Sequence, residues 1–153
     1  MGFDTPGTTE HQKIWTMTEM CGGIESGEYL TKARLWESGG VAVYDTAYVY
    51  GRATGAEVVE KFRAKAASCD SYRGGNGSDF TVYPDLPLER PAGLSAFYAL
   101  CEQTDGDGFL CSAVLARDNV VVKITVAGHG ERSYFVDALG VVTGIAAAPL
   151  LTV

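Results

Sequence analysis

Four cysteines, at positions 21, 69, 101 and 111, carry the most pointed chemistry in the sequence. Cysteine binds metals, attacks electrophiles or forms disulfides, and spacing separates these roles. No pair stands as CxxC, and the spacings fit no zinc module, whose ligands come in closely spaced pairs. Histidine could complete a metal site, but only His11 and His129 exist, and His11 lies in a polar stretch. No metal and no cofactor are expected. An even count without a ligand pattern suggests two disulfides in an oxidising compartment; four buried thiols in a reducing one are the alternative. Hairpin arithmetic favours the disulfides. Residues 95–103 (SAFYALCEQ) and 109–117 (FLCSAVLAR) read as strands around the turn residues 104–108. Pairing them about Gly106 sets Cys101 directly opposite Cys111, within bridging reach. Cys69 ends a predicted helix and shares its apolar face, which leaves Cys21 as its default partner.

Other reactive groups form weaker patterns. His129 lies in a glycine-flanked turn, and no nucleophile elbow such as GxSxG accompanies it. Asp45 falls on an apolar strand face, where desolvation would raise its pKa. Either residue could serve as acid or base in a small secreted enzyme, which is the alternative to a non-catalytic role. The stretch 51–55 (GRATG) precedes a helix and could cradle an anion, but it lacks the P-loop lysine. The stretch 105–108 (DGDG) is turn chemistry without the later glutamate of a calcium loop. Asn76-Gly77-Ser78 has the glycosylation acceptor pattern.

These groups need a scaffold. With 153 residues, 46% hydrophobic and 20% charged, the chain suits one globular domain. A net charge of -7 argues against a general nucleic-acid binder, which needs clustered Lys and Arg. No apolar run of membrane-spanning length is expected. Residues 1–12 read as a flexible tail and 13–153 as a single domain, with a short helix at 13–24. Strands are predicted at 28–36 and 41–50, joined by a three-residue loop at 38–40. A helix at 55–68 begins with a Thr54/Glu57 capping box and buries Val58, Val59, Phe62 and Ala66. Residues 70–78 read as a loop, 80–83 as a short strand and 84–93 as an irregular connection. Strands at 95–103, 109–117 and 119–127 form a meander with a two-residue turn at Asp118-Asn119. A helix at 132–147 closes the chain. The expected class is α+β, an antiparallel sheet with two main helices packed on one face. Val41–Ala67 and Val120–Ala146 share a strand–glycine–helix outline, suggesting an internal ββα repeat, although any strand–helix unit has that outline.

Alternation assigns sheet faces. Val120, Val122, Ile124 and Val126 point to the helices, with Cys101, Cys111, Ala113, Leu115, Val43 and Asp45. The other face carries Tyr44, Thr46, Tyr48, Tyr50, Tyr98, Glu102, Ser112, Lys123 and Thr125. The three-residue loop adds Lys32 and Arg34 to it. Such a tyrosine-rich, locally basic face suits recognition, since tyrosine joins a flat apolar body to one polar tip. It also suits an ordinary solvated sheet face.

Cys21, the strand–helix unit ending in a cysteine (41–69), the cysteine-bearing hairpin (111–126) and the closing Ala-rich helix together give a layout that resembles a known family. That family is the extracellular sensor domain of mycobacterial protein kinase H, with related actinobacterial lipoproteins. The resemblance implies an α+β domain with two disulfides and a broad cleft, binding an external ligand without catalysis at the cell surface. It departs from the family at Phe109 and Leu110, where a tryptophan is common, and over 70–93; no ligand residue carries over. The expected site is the open tyrosine face, with Lys32, Arg34, Tyr44, Tyr48, Tyr50, Tyr98 and Lys123. The expected partner is a small molecule or glycan with sugar rings or an anionic group; a protein partner is a further alternative. No nucleic acid is expected. Membrane contact would come only through a lipid or helical tether upstream of residue 1, together with an export signal.

Overall fold

The computed structural model describes residues 7–9, 17–25, 27, 29–104 and 106–152. Eight strands and two α-helices occur among them. These are β1 (Gly7–Thr9), β2 (Tyr29–Ser38), β3 (Val41–Tyr50), α1 (Gly55–Ala67), β4 (Ser71–Arg73), β5 (Asp79–Tyr83), β6 (Ala96–Thr104), β7 (Gly108–Arg117), β8 (Val120–His129) and α2 (Arg132–Leu151). One antiparallel sheet holds all eight strands in the order β1-β2-β3-β8-β7-β6-β5-β4. The class is α+β, as expected. Gly7–Thr9, within the stretch expected as a tail, pair with β2; the rest of residues 1–16 lies outside the described residues. Of the helix expected at 13–24, the described part shows one 3-10 turn at Met20–Gly22. The loop expected at 70–78 contains β4, which pairs back onto β5.

The helices sit on opposite faces, not on one. β7 shows why. Val114 and Ala116 point to one side, Ala113 and Leu115 to the other, and all four are fully buried. A strand apolar on both parities must be covered twice. α1 supplies one layer, where Val58, Val59, Phe62 and Ala66 pack with Tyr48, Tyr98, Val114 and Val121. α2 supplies the other, where Phe135, Leu139, Ala147 and Leu150 pack with Ala113, Leu115, Val122 and Val126. Topology imposes this split. The chain leaves the sheet centre after β3 and must reach the far edge at β4, so α1 crosses β8, β7 and β6 on the way. The internal repeat finds no counterpart in this packing. A two-fold exchanging β3 with β8 would carry α2 onto the β2–β3 half, yet both helices lie over the β7–β8 half.

Turn chemistry fixes the ends of these elements. Thr54 Oγ1 accepts from Glu57 N at 3.2 Å and Glu57 Oε2 accepts from Thr54 N at 2.7 Å, completing the predicted capping box. Gly55 N then donates to Asp118 O, seating the start of α1 on the β7–β8 turn. An added Cβ at Gly55 would lie 2.8 Å from Ala116 Cβ, so only glycine allows the approach. α2 runs to Leu151, past the expected end at 147, with Pro149 in its last turn. An 18-residue window of this 20-residue helix has mean hydropathy 1.7, long and apolar enough by length and composition to cross a membrane, against the expectation of no such run. Only one side of it is used by the core, and Val141 and Ile145 remain 67% and 69% exposed.

Both disulfides are formed as read from the sequence, Cys101–Cys111 across the β6–β7 pair and Cys21–Cys69 at the end of α1.

The tyrosines of the α1 layer are core residues. Tyr98 meets Phe62 edge to face at 6.0 Å, lies under the Arg63 guanidinium at 4.9 Å, and its hydroxyl accepts from Asp85 N. Tyr98→Ala and Tyr48→Ala should each cost about 3–5 kcal/mol, the range for deleting a buried ring. Urea unfolding would show it as a lowered midpoint at unchanged slope.

Candidate functional site

The seven expected site residues divide between two faces. Tyr44, Tyr48, Tyr50, Tyr98 and Lys123 share the α1 face, as alternation indicated. Lys32 and Arg34 do not join them. The β2–β3 hairpin turns on two residues, Gly39 and Gly40, both at left-handed φ (58° and 79°), and Ser38 pairs with Val41. A three-residue loop would have paired Glu37 with Val41. One residue of slip moves a whole strand to the other face. Lys32 therefore stands opposite Ala47, and Arg34 opposite Asp45, on the α2 face.

The tyrosine face is also not open. α1 covers Tyr98, Val114 and Val121, and the segment Met17–Gly23 covers more of it, with Met17 and Met20 buried. Tyr48, Tyr50 and Tyr98 keep 3%, 1% and 3% of their surface, and only Tyr44 stays substantially exposed, at 43%. Tyr29, Tyr48 and Tyr50 form an aromatic cluster with centroids 5.4 to 6.3 Å apart, Tyr48 stacked on Tyr50 and Tyr29 edge-on to Tyr48. Burial raises the Tyr48 pKa well above the ordinary phenol value, so it is a neutral core phenol. Further along this face, Glu102 accepts from the Tyr72 hydroxyl, and the Ser112 and Thr125 hydroxyls pair at 2.7 Å.

The uncovered surface is on the α2 side. α2 packs on β7 and β8 and leaves β2 and β3 as a shelf beside it. Leu30, Lys32, Arg34 and Trp36 alternate along β2 on this shelf, and Asp45, Ala47 and Val49 continue it on β3. Leu30 is 77% exposed, Lys32 and Arg34 are exposed, and Trp36 is half-buried. Ala138, Val142 and Ala146 pack at the margin of the core beneath α2, while Val141 and Ile145 form its crest. Leu30, Trp36, Val141 and Ile145 were not foreseen as site residues. The signal was present in the Gly39-Gly40 pair, a two-residue hairpin turn that sets this parity.

Among the described residues, Asp45 is the carboxylate set into the shelf. Burial raises its pKa, and the Arg34 charge opposite pulls it back down. His129 Nδ1 lies 3.1 Å from Asp107 Oδ1 at the other end of the sheet, and both side chains are about 70% exposed. That pair joins two turn ends in full solvent. Among the described residues no cluster of three or more His, Cys, Asp or Glu is arranged to hold a metal ion. A separate shallow groove of about 640 Å³ lies at the start of α2, between Arg132, Val136 and the 83–87 segment. Two of its lining residues are engaged with their own neighbours: the Arg132 guanidinium covers the Tyr83 ring at 4.8 Å, and the Tyr83 hydroxyl donates to Gln103.

No family model matches the chain, and no curated relative does. Among solved structures, the extracellular domain of PknH from Mycobacterium tuberculosis is similar, with a TM-score of 0.45 and 13% identity over 81% of this chain. The similarity spans 63% of that domain. No residue role is carried across at this distance.

Asp45 gives a pH test. Its folded pKa is raised, so the folded state loses stability as pH rises from the ordinary aspartate value through the raised one, and the penalty persists above it. Asp45→Asn should then be more stable than the parent at neutral pH, by under about 1 kcal/mol given solvent screening of a half-buried group, and equal to it in acid. Arg34→Ala should move the Asp45 midpoint further up, read by carboxyl carbon NMR. A midpoint that stays put would remove Arg34 as its partner.

Proposed function

We propose that this chain is a non-catalytic extracytoplasmic sensor or binding domain, and that its recognition surface is the shelf formed by β2, β3 and the crest of α2. One observation carries the assignment of the surface. On a protein of net charge -7, the exposed cations Lys32 and Arg34 share one side of the sheet with exposed Leu30, Val49, Val141 and Ile145. Isolated exposed apolar residues need no explanation, but a group of them beside two cations is the composition of an interaction surface. The two disulfides support the compartment, since such bridges persist in oxidising surroundings.

The matching ligand presents an anionic group beside an apolar or flat body, a small molecule or an acidic glycan. The anion meets Lys32 and Arg34, and the body lies against Trp36, Leu30 and Val49. Anchoring of the domain at a cell surface by a lipid or a membrane helix belongs to the same proposal.

Lys32→Glu/Arg34→Glu reverses the charge without touching the core. On an immobilised panel of acidic glycans and anionic small molecules, the parent should retain a subset, and the double variant should bind that subset at least tenfold more weakly at an unchanged melting temperature. Equal retention by both proteins would remove the shelf as the site.

A further inference from the structure

Lys123 stands in the middle of β8 on the α1 face, opposite Thr46 and Val114. Its ammonium carries three donors. One goes to Met17 O at 2.8 Å, and the Phe62 ring lies 5.6 Å away. No carboxylate forms an ion pair with it among the described residues. The Glu102 charge acts on it from a distance, and that carboxylate accepts from the Tyr72 hydroxyl. Desolvation lowers the Lys123 pKa. Burying a cation with no ion pair of its own is costly, and groups perturbed in this way cluster at functional sites. The polar atoms around Lys123 extend the same seat. Thr125 follows it on the same face and shares a hydrogen bond with Ser112.

The group that meets Lys123 belongs to the segment Met17–Gly23, which lies over this face as a strap. The strap has little structure of its own, a single 3-10 turn at Met20–Gly22 in which Cys21 and Gly22, with Gly23 after them, have positive φ. It is held from outside. Cys21 is bonded to Cys69, Lys65 Nζ donates to Cys21 O at 3.2 Å, and the Glu19 carboxylate accepts from Gly75 N at 2.9 Å. Its filling is two unbranched side chains, Met17 and Met20, buried at 4% and 0%. Methionine fills irregular space with a flexible thioether chain and yields it readily.

We infer that the strap occupies a second binding site of this chain, whose ligand is a free amphiphile with an anionic head and an unbranched apolar chain. The Met17 carbonyl oxygen holds the position of the head group on Lys123, and the Met17 and Met20 side chains hold the position of the chain. Lys123 is half-buried overall, with its ammonium beneath the strap. The ligand is free rather than bilayer-held, because the ammonium lies under the strap in mid-sheet, out of reach of a head group fixed in a membrane. The Cys21–Cys69 bridge then limits how far the strap can lift and sets the affinity. This site lies on the opposite face from the shelf and stands independently of it.

Decanoate and decylamine, two probes with the same chain and opposite heads, test the assignment by calorimetry. The strap-loosened variant Cys21→Ser/Cys69→Ser should bind decanoate at least tenfold more tightly than the parent and should not bind decylamine. Adding Lys123→Met should lower decanoate affinity tenfold or more while unfolding stays cooperative. No decanoate binding by a cooperatively folded strap-loosened variant, or binding indifferent to Lys123→Met, overturns the proposal. Should the cysteine-free variant fail to fold, hydrogen exchange on the parent decides. Millimolar decanoate should speed exchange of the Met20, Gly22 and Gly23 amides and leave β7 unchanged; no change in the strap overturns it.

Discussion

β7 cannot be solvated on either side, because Ala113 and Leu115 face one way, Val114 and Ala116 the other, and all four are fully buried. Every larger feature of the fold answers to that strand. It needs two covering layers, so the two helices divide between faces instead of sharing one. It lies inside the sheet, so β8 and β6 flank it and inherit much of its two-sided burial. Burying a side chain of Val or Leu size contributes about 1.5–3 kcal/mol, so this block outweighs any surface interaction in the molecule. The margins of the sheet, β1 to β3 on one side and β4 and β5 on the other, are free to be thinner, more polar and more exposed.

That division locates function. The covered half of the sheet has no room for a ligand unless something moves, and there the polar residues Lys123, Ser112, Thr125 and Glu102 meet side chains or a backbone carbonyl of this chain itself. The uncovered half presents Lys32, Arg34 and Trp36 on a rigid ladder. A site on strands is held more precisely than one on a loop, and the two disulfides sit outside the shelf, leaving its surface unencumbered. The two bridges differ in duty. Cys101–Cys111 reinforces a strand pair that is already buried. Cys21–Cys69 ties a segment with little structure of its own onto the core.

Much of the molecule was legible in order. The capping box at Thr54, the Cys101–Cys111 register, the Asp118-Asn119 turn and the alternation along β3, β6, β7 and β8 are local rules, each set by residues close in sequence. The misreadings were local in origin and global in effect. Counting Ser38 into the hairpin loop shifted β2 by one position and sent Lys32 and Arg34 to the wrong face. Reading β7 as one-sided placed both helices together and made core tyrosines look like a ligand surface. Tyrosine is ambiguous here because the same ring serves a wet interface and a dry core, and nothing in its immediate neighbours separates the two.

The sequence by itself therefore determined the types of the main elements from β2 on, apart from the short β4, their boundaries to within a few residues, both disulfides and the parity of most strands, since each depends on propensity, turn chemistry or period. Only the tertiary structure decided which parity is covered. Covering is a property of where a helix lands after crossing the sheet, and that follows from strand order, which no local pattern encodes. Tyr48, Tyr50 and Tyr98 became core because α1 and the Met17–Gly23 strap close over that face, and Lys32 and Arg34 became surface because α2 stops short of β3.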